Sequence, residues 1–151
     1  THYARDFLSR PTALGGHGCK IVHREPVFSL RGEPPDAIGF VVRCATDATV
    51  DSIIIECKSS RSDMLRDMHK EHRASDKLGL GKYRYFMSEP NIVLETDIPD
   101  KWGLLHVDRY GIITCVRGAL RDGFPDECEQ WAFKEWNVMR ERALLTVKYG
   151  T

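Results

Sequence analysis

The run Ile53–Ile55, followed at once by Glu56, Cys57 and Lys58, constrains this chain more than any other feature. Three consecutive β-branched residues favour a strand, because branched side chains fit the pleat and lose little rotamer freedom there. A run without polar alternation also predicts burial on both faces of a sheet. Glu56 and Lys58 are two residues apart and emerge on one face, while Cys57 points to the opposite face. Burying either charge alone is costly, so the pair predicts an ion pair or a functional site.

A second carboxylate, Asp36, opens an upstream apolar segment over residues 37–42. The intervening segment 44–49 is short and polar, which is typical of a turn, so the two strands are predicted to form an antiparallel hairpin. This hairpin would place Asp36, at the start of one strand, beside Glu56, at the end of the next. Two such carboxylates repel each other unless a cation lies between them, and hard oxygen ligands suit Mg²⁺ or Mn²⁺.

Pro35-Asp36, a spacer and Glu56-Cys57-Lys58 together resemble the PD-(D/E)xK nuclease superfamily. Three later segments resemble its MmcB-like branch, whose members are associated with DNA repair, and the resemblance covers roughly residues 15 to 117; the three segments are Ser59–Asp63, Tyr83–Phe86 and Trp102–Leu105. It implies a restriction-endonuclease-like α/β fold, with a mixed β-sheet flanked by helices on both faces. A single domain is expected over residues 1–151, with the family's opening helix truncated.

The resemblance also implies an activity, that of a metal-dependent DNA endonuclease in DNA repair, restriction or defence, or phage DNA processing. Asp36, Glu56 and Lys58 would be its catalytic residues. The Mg²⁺ or Mn²⁺ ligands would be Asp36, Glu56 and the backbone carbonyl of Cys57. Lys58 would orient or deprotonate the attacking water, or stabilise the developing charge, and the sequence leaves these roles open.

Further candidates lie around this core. Glu25 is a candidate extra carboxylate, although an exposed strand residue before Pro26 explains it as well. The candidate DNA contacts follow the Glu56 strand or open the next one, and their alternatives are a helix cap, a solvated charge and a core aromatic: Ser59, Ser60, Arg61, Lys82 and Tyr83.

A purely structural explanation also exists for each of the three central residues. Asp36 alone is consistent with a turn cap, and Glu56 with Lys58 is consistent with a structural ion pair. Three classes of function therefore stay open. They are a metal-dependent nuclease, a catalytically inactive nuclease-fold module that binds DNA or a protein partner, and a subunit whose nuclease domain a partner holds inactive.

Composition restricts partners and location. The formal net charge is zero, so the whole molecule is not steered to nucleic acid, although residues 58–84 carry eight Lys and Arg against four Asp and Glu. No apolar run is long enough for a membrane span, and we expect a cytoplasmic protein of a bacterial or phage-infected cell. DNA is the expected partner, and a homodimer or a protein partner stays open. The five cysteines are scattered and are predicted to be free thiols.

The remaining pattern predicts the order of the other elements. A first strand is expected over residues 21–30, and a helix from Ser60 to near Ser75 with Asp67 on its polar side. A strand over 83–87 should lie parallel to the Glu56 strand, and a hairpin should follow over 103–107 and 112–116. A final helix from Pro125 is predicted to bury one apolar stripe: Cys128, Trp131, Ala132, Trp136, Met139 and Ala143.

Overall fold

A computed structural model describes residues 2–24, 35–44, 49–68, 79–119 and 129–146. In these ranges the strands are β1 (Ile21–Arg24), β2 (Ala37–Cys44), β3 (Thr49–Cys57), β4 (Tyr83–Ser88), β5 (Trp102–Val107) and β6 (Ile113–Arg117). The helices are α1 (His2–Ser9), α2 (Arg61–Met68) and α3 (Val138–Thr146). Single 3₁₀ turns cover Thr12–Leu14, Glu95–Asp97 and Glu129–Trp131.

The six strands form one mixed sheet in which neighbours in space are also neighbours in sequence. β1, β2 and β3 pair antiparallel, β3, β4 and β5 pair parallel, and β6 returns antiparallel to β5. A parallel neighbour requires a crossover connection, and α2 lies on the crossover from β3 to β4. The predicted hairpins and the predicted parallel strand are therefore confirmed.

β3 lies inside the sheet and is buried on both faces, as its unbroken isoleucine run predicts. Ile53 and Ile55 are fully buried and share a core cluster with Phe7 of α1. Ile54 points the other way and shares the second cluster with Met64 of α2 and with a residue of α3. Helices thus pack on both faces of the sheet. The last residues of β3, which carry the candidate site, thus directly follow a segment that is packed on both faces.

The final helix begins later than the sequence predicts. Asn137 caps α3, because its Oδ1 accepts a hydrogen bond of 3.1 Å from the backbone N–H of Arg140. The helix therefore has a different buried side, with Leu144 in the core and Met139 81% exposed. The predicted apolar stripe is wrong, since Trp131 belongs to a separate 3₁₀ turn. The predicted start, over residues 125–128, lies outside the described residues.

Other predictions are covered in part. The first strand is described only over Ile21–Arg24, and the predicted end of the α2 helix near residue 75 lies outside the described residues. Cys19, Cys57 and Cys115 are free thiols, as predicted, while the side chains of the other two cysteines are not among those described. Within the described ranges, no helix combines the length and apolar character needed to cross a membrane.

Candidate active site

The register of the β2–β3 hairpin brings Asp36 to the end of β3. Ala37, the next residue, pairs with Ile55, so antiparallel pairing sets Asp36 at the level of Glu56. The Oδ2 atom of Asp36 accepts a hydrogen bond of 2.7 Å from the backbone N–H of Cys57. The carboxylate is therefore held against the strand that carries Glu56, where the sequence predicts it.

Glu56 and Lys58 lie on the face of the sheet that α2 covers. They have the same parity along β3 as Ile54, whose side chain belongs to the core cluster that contains Met64 of α2. Glu56 is half-buried and Lys58 is buried. The backbone N–H of Lys58 donates a 2.9 Å hydrogen bond to the carbonyl of Met87, so the chain continues along β4 beyond the end of β3.

The charge partner of Lys58 is a residue that the sequence analysis missed. The Nζ atom of Lys58 lies 3.2 Å from Oδ1 of Asp67 in α2, and the two side chains are only 6% and 1% exposed. The prediction that Asp67 lies on the polar side of the helix is wrong. A signal existed, because Asp67 follows the core residue Met64 by three positions, and residues three apart share a helix face.

The thiol of Cys57 is not a reactive group of the candidate site, which leaves its backbone as the only candidate part. Its side chain packs against the core cluster on the α1 face, opposite Glu56, as alternation predicts. Burial raises the pKa of the thiol, and the nearby carboxylates of Asp36 and Glu56 raise it further. A raised pKa keeps the sulfur protonated at neutral pH, which argues against a nucleophilic cysteine.

These groups fit a magnesium-type ion in their chemistry. Asp36 and Glu56 supply hard carboxylate oxygens, and the hydrogen bond to Cys57 uses only one oxygen of Asp36. Among the described residues, no three His, Cys, Asp or Glu side chains form a group that could hold a metal ion. Two carboxylates and a carbonyl would leave the other positions to water, which is usual for Mg²⁺. Glu25, the predicted extra carboxylate, lies outside the described residues.

Two of the candidate DNA contacts already have structural partners. The hydroxyl of Ser60 accepts a 3.1 Å hydrogen bond from the backbone N–H of Asp63 and caps α2. Arg61 donates from both terminal nitrogens to Asp97, at 2.7 and 2.8 Å. The contact of Arg61 with Asp97 attaches the start of α2 to the 3₁₀ turn before β5. Ser59, between β3 and α2, is exposed.

The other two candidate DNA contacts do not lie with the site. Tyr83 is 1% exposed and belongs to the core, which agrees with the core-aromatic alternative for this residue. Its pairing with Ile53 sets Lys82 near the start of the parallel strands, at the opposite end from Glu56. The ammonium of Lys82 lies 3.1 Å from Asp51.

Two further polar residues share the edge and face of Glu56 and Lys58. Ser88 and His106 pair across β4 and β5, and they have the parity of the core residues Phe86 and Leu104. Nε2 of His106 lies 2.9 Å from the carbonyl of Val93, so this nitrogen carries the proton. Because side chains alternate between faces along β4 and β5, the sequence could have predicted that both residues lie on this face.

Comparison with known proteins supports the fold. A solved structure titled as the SPO1766 protein of unknown function from Silicibacter pomeroyi matches with a TM-score of 0.53. The two sequences are 21% identical, over 94% of this chain and 81% of the other. The likeness extends to the fold alone. No protein-family model matches this chain. A search of curated proteins finds no match.

Proposed function

We propose that this chain is a Mg²⁺- or Mn²⁺-dependent DNA endonuclease of the PD-(D/E)xK type. One observation carries the proposal. Asp36 is held at the level of Glu56 by its 2.7 Å hydrogen bond to the Cys57 backbone, and Lys58 follows on the face of Glu56. Two carboxylates and one ammonium at the end of a rigid strand are the residue types that metal-assisted hydrolysis uses.

The topology supports the finer class, a restriction-endonuclease-like fold. Three antiparallel strands precede a helical crossover to a parallel strand, with Asp36 at the start of β2 and Glu56 near the end of β3. Fold by itself does not determine function. The proposal therefore rests on the side chains that this topology brings together.

Each residue has a defined part in the proposed reaction. Asp36, Glu56 and the Cys57 carbonyl would hold the ion. A bound divalent ion lowers the pKa of its water and neutralises charge on the phosphate. Lys58 would contribute a positive charge beside the reacting phosphate or orient the attacking water. The hydrogen bond from Cys57 keeps Asp36 directed at the end of β3, which reduces the reorganisation needed when an ion binds.

A cleavage assay tests the proposal. Purified protein should cut single-stranded, duplex or branched DNA with Mg²⁺ or Mn²⁺ and should not cut after EDTA treatment. Lys58→Met and Glu56→Gln should abolish cleavage, whereas Lys134→Met, a matched change at an exposed lysine, should leave it intact. The proposal fails if no DNA is cut with either metal, or if cleavage survives Lys58→Met.

A catalytically inactive nuclease-fold module that binds DNA or a protein partner is the second candidate. The ion pairs of Lys58 with Asp67 and of Arg61 with Asp97 favour it, because these cations already have protein partners. The net charge of zero agrees with it. DNA binding that is unaffected by EDTA, without cleavage under any metal condition, would support this alternative.

A further inference from the structure

We propose that Tyr110 and Arg109 form a stacking surface for an unpaired base of DNA, with Tyr110 as the aromatic platform and Arg109 as the phosphate contact. Both residues lie in the β5–β6 turn, residues 108–112, between the end of β5 and the start of β6. The inference rests on the proposed function, which makes DNA the partner. It deepens that function by naming the form of DNA that the protein binds.

The exposure of the two side chains is the first step. Tyr110 is 73% exposed, although aromatic rings are among the side chains that gain most from burial. The guanidinium carbon of Arg109 lies 4.9 Å from the centre of this ring, so the cation covers one face and leaves the other open to solvent. In the part of the chain that the structure describes, Arg109 forms no ion pair. An open ring beside an unpaired cation matches a nucleotide, which offers a π face and an anionic phosphate.

The second step is the fixed shape of the turn. Oδ1 of Asp108 accepts hydrogen bonds from the backbone N–H groups of Tyr110, at 2.8 Å, and Ile112, at 3.0 Å. The backbone N–H of Gly111 donates to the carbonyl of Asp108 at 2.9 Å. Gly111 also lies against α1, because a Cβ atom added to it would be 3.0 Å from the ring of Tyr3. A platform that is already ordered loses less conformational freedom when a base stacks on it.

The third step is the position of the turn relative to the candidate active site. β3, β4 and β5 are parallel, so their carboxyl ends meet at one edge of the sheet, and the β5–β6 turn follows the end of β5. Neighbouring strands are about 4.8 Å apart, which sets the end of β5 roughly 10 Å from the end of β3. Glu56 lies at that end of β3, and Asp36 is hydrogen-bonded to the Cys57 backbone beside it. One DNA strand that follows this edge would therefore reach both the carboxylates and the stacking surface.

The form of the DNA follows from what an aromatic ring can contact. A ring stacks only on a base whose face is free. In a duplex both faces of each base are covered by the neighbouring base pairs, so the partner is a single strand or an unpaired segment of a branched DNA. Such stacking tolerates every base, and we therefore expect little sequence preference at this surface.

A cycle of changes in the protein and in the DNA tests the role of the ring. The Kd for a fluorescein-labelled thymidine oligonucleotide is measured by fluorescence anisotropy with EDTA present, so that the DNA stays intact. Tyr110→Ser should weaken binding about tenfold, or ~1.4 kcal/mol, and Tyr110→Trp should retain it. For an oligonucleotide of abasic sugar-phosphate units, Tyr110→Ser should leave the Kd nearly unchanged, because no base is there to stack. Met139→Ser, at an exposed apolar position of α3, is the matched control and should bind like the wild type.

The salt dependence of the same binding tests the phosphate contact. Arg109→Gln should reduce the slope of log affinity against log salt by about 0.7, which corresponds to one phosphate on a single strand. Arg142→Gln, at an exposed arginine of α3, should leave the slope unchanged. Equal slopes for wild type and Arg109→Gln would contradict the phosphate contact.

The outcomes separate the stacking surface from the function on which it rests. If the wild type cuts DNA and Tyr110→Ser binds the thymidine oligonucleotide equally well, the stacking surface is overturned alone. An equal loss on both oligonucleotides also overturns it, because the effect is then not on a base. A wild type that binds no single-stranded DNA overturns it too, and the turn would then suit a protein partner. If the wild type cuts no DNA with Mg²⁺ or Mn²⁺ but shows the full binding pattern, the proposed function fails and the stacking surface stands.

Discussion

At the residue scale, Glu141 is a buried carboxylate whose hydrogen-bond donors come from two other parts of the chain. Its Oε2 accepts hydrogen bonds from the Ser52 hydroxyl at 2.9 Å and from the Gly81 backbone N–H at 3.0 Å. Burial raises the pKa of Glu141, and these hydrogen bonds oppose the rise. The residue joins α3 to β3 and to the start of β4, so its protonation is linked to folding.

The raised pKa of Glu141 predicts how stability depends on pH. The folded state binds this proton more tightly than the unfolded state, so Glu141 favours folding below the ordinary pKa of about 4.5. That contribution is lost as pH rises through the raised folded value. Glu141→Gln should therefore melt at the wild-type temperature or higher at pH 7, and should lose any advantage near pH 4.

A second variant at this position checks the hydrogen bonds. Glu141→Ala removes the acceptor for Ser52 and Gly81 and should lower stability by roughly 1–3 kcal/mol at every pH. Urea unfolding of wild type, Glu141→Gln and Glu141→Ala between pH 4 and pH 8 measures both effects. A wild-type advantage over Glu141→Gln that grows with pH would contradict the raised pKa.

At the scale of elements, local contacts hold the start of α2. The described part of this helix is Arg61–Met68. The Ser60 cap and the Arg61–Asp97 ion pair both act on its first turn. The helix then places Met64 in the core and Asp67 against Lys58. Two residues predicted as DNA contacts thus have a structural role.

The cap predicts a difference between two neighbouring serines. Ser60→Ala should lower the free energy of unfolding by about 1 kcal/mol, since an N-cap acceptor is lost. Ser59→Ala, at an exposed position next to it, should change stability by less than about 0.5 kcal/mol. Chemical denaturation of both variants measures this. Equal effects of the two substitutions would show that the cap does not contribute to stability.

At the scale of the whole molecule, the sheet brings together two kinds of charge pair. Loss of one charge has opposite expected effects on the free energy of unfolding in the two pairs. Asp36 and Glu56 are like charges at one level of the sheet, whereas Lys58 and Asp67 form a buried ion pair. Removing one of two like charges relieves repulsion, and removing half of a buried ion pair leaves an uncompensated charge.

Thermal melts should separate these two cases. Glu56→Ala should keep or raise the melting temperature of the metal-free protein, because Lys58 still has Asp67. Asp67→Ala should lower stability by roughly 3–5 kcal/mol. Mg²⁺ at one hundred times its Kd should raise the free energy of unfolding of the wild type by about 2.7 kcal/mol, and with it the melting temperature. It should have little effect on Glu56→Ala. A sharp loss of stability in Glu56→Ala, with no effect of Mg²⁺ on the wild type, would contradict the metal site.

Local sequence determined the elements around the site. The isoleucine run predicts a buried inner strand. Its β-branched side chains favour the strand backbone, and its lack of polar alternation indicates burial on both faces. The polar turn after it predicts the hairpin, and the hairpin predicts that Asp36 reaches the level of Glu56. Ser60 predicts the start of α2, since an N-cap acts within one turn.

Only the tertiary structure decided which charges pair and which aromatics are buried. Lys58 pairs with Asp67 and Arg61 with Asp97, because α2 packs on one face of the sheet and approaches the 3₁₀ turn before β5. Tyr83 is buried because it shares a core cluster with residues from distant parts of the chain, among them Phe7 of α1. Such contacts join residues nine to 36 positions apart. Periodicity along a strand or helix reports which face a residue shares, and it carries no information about which distant side chain meets that face.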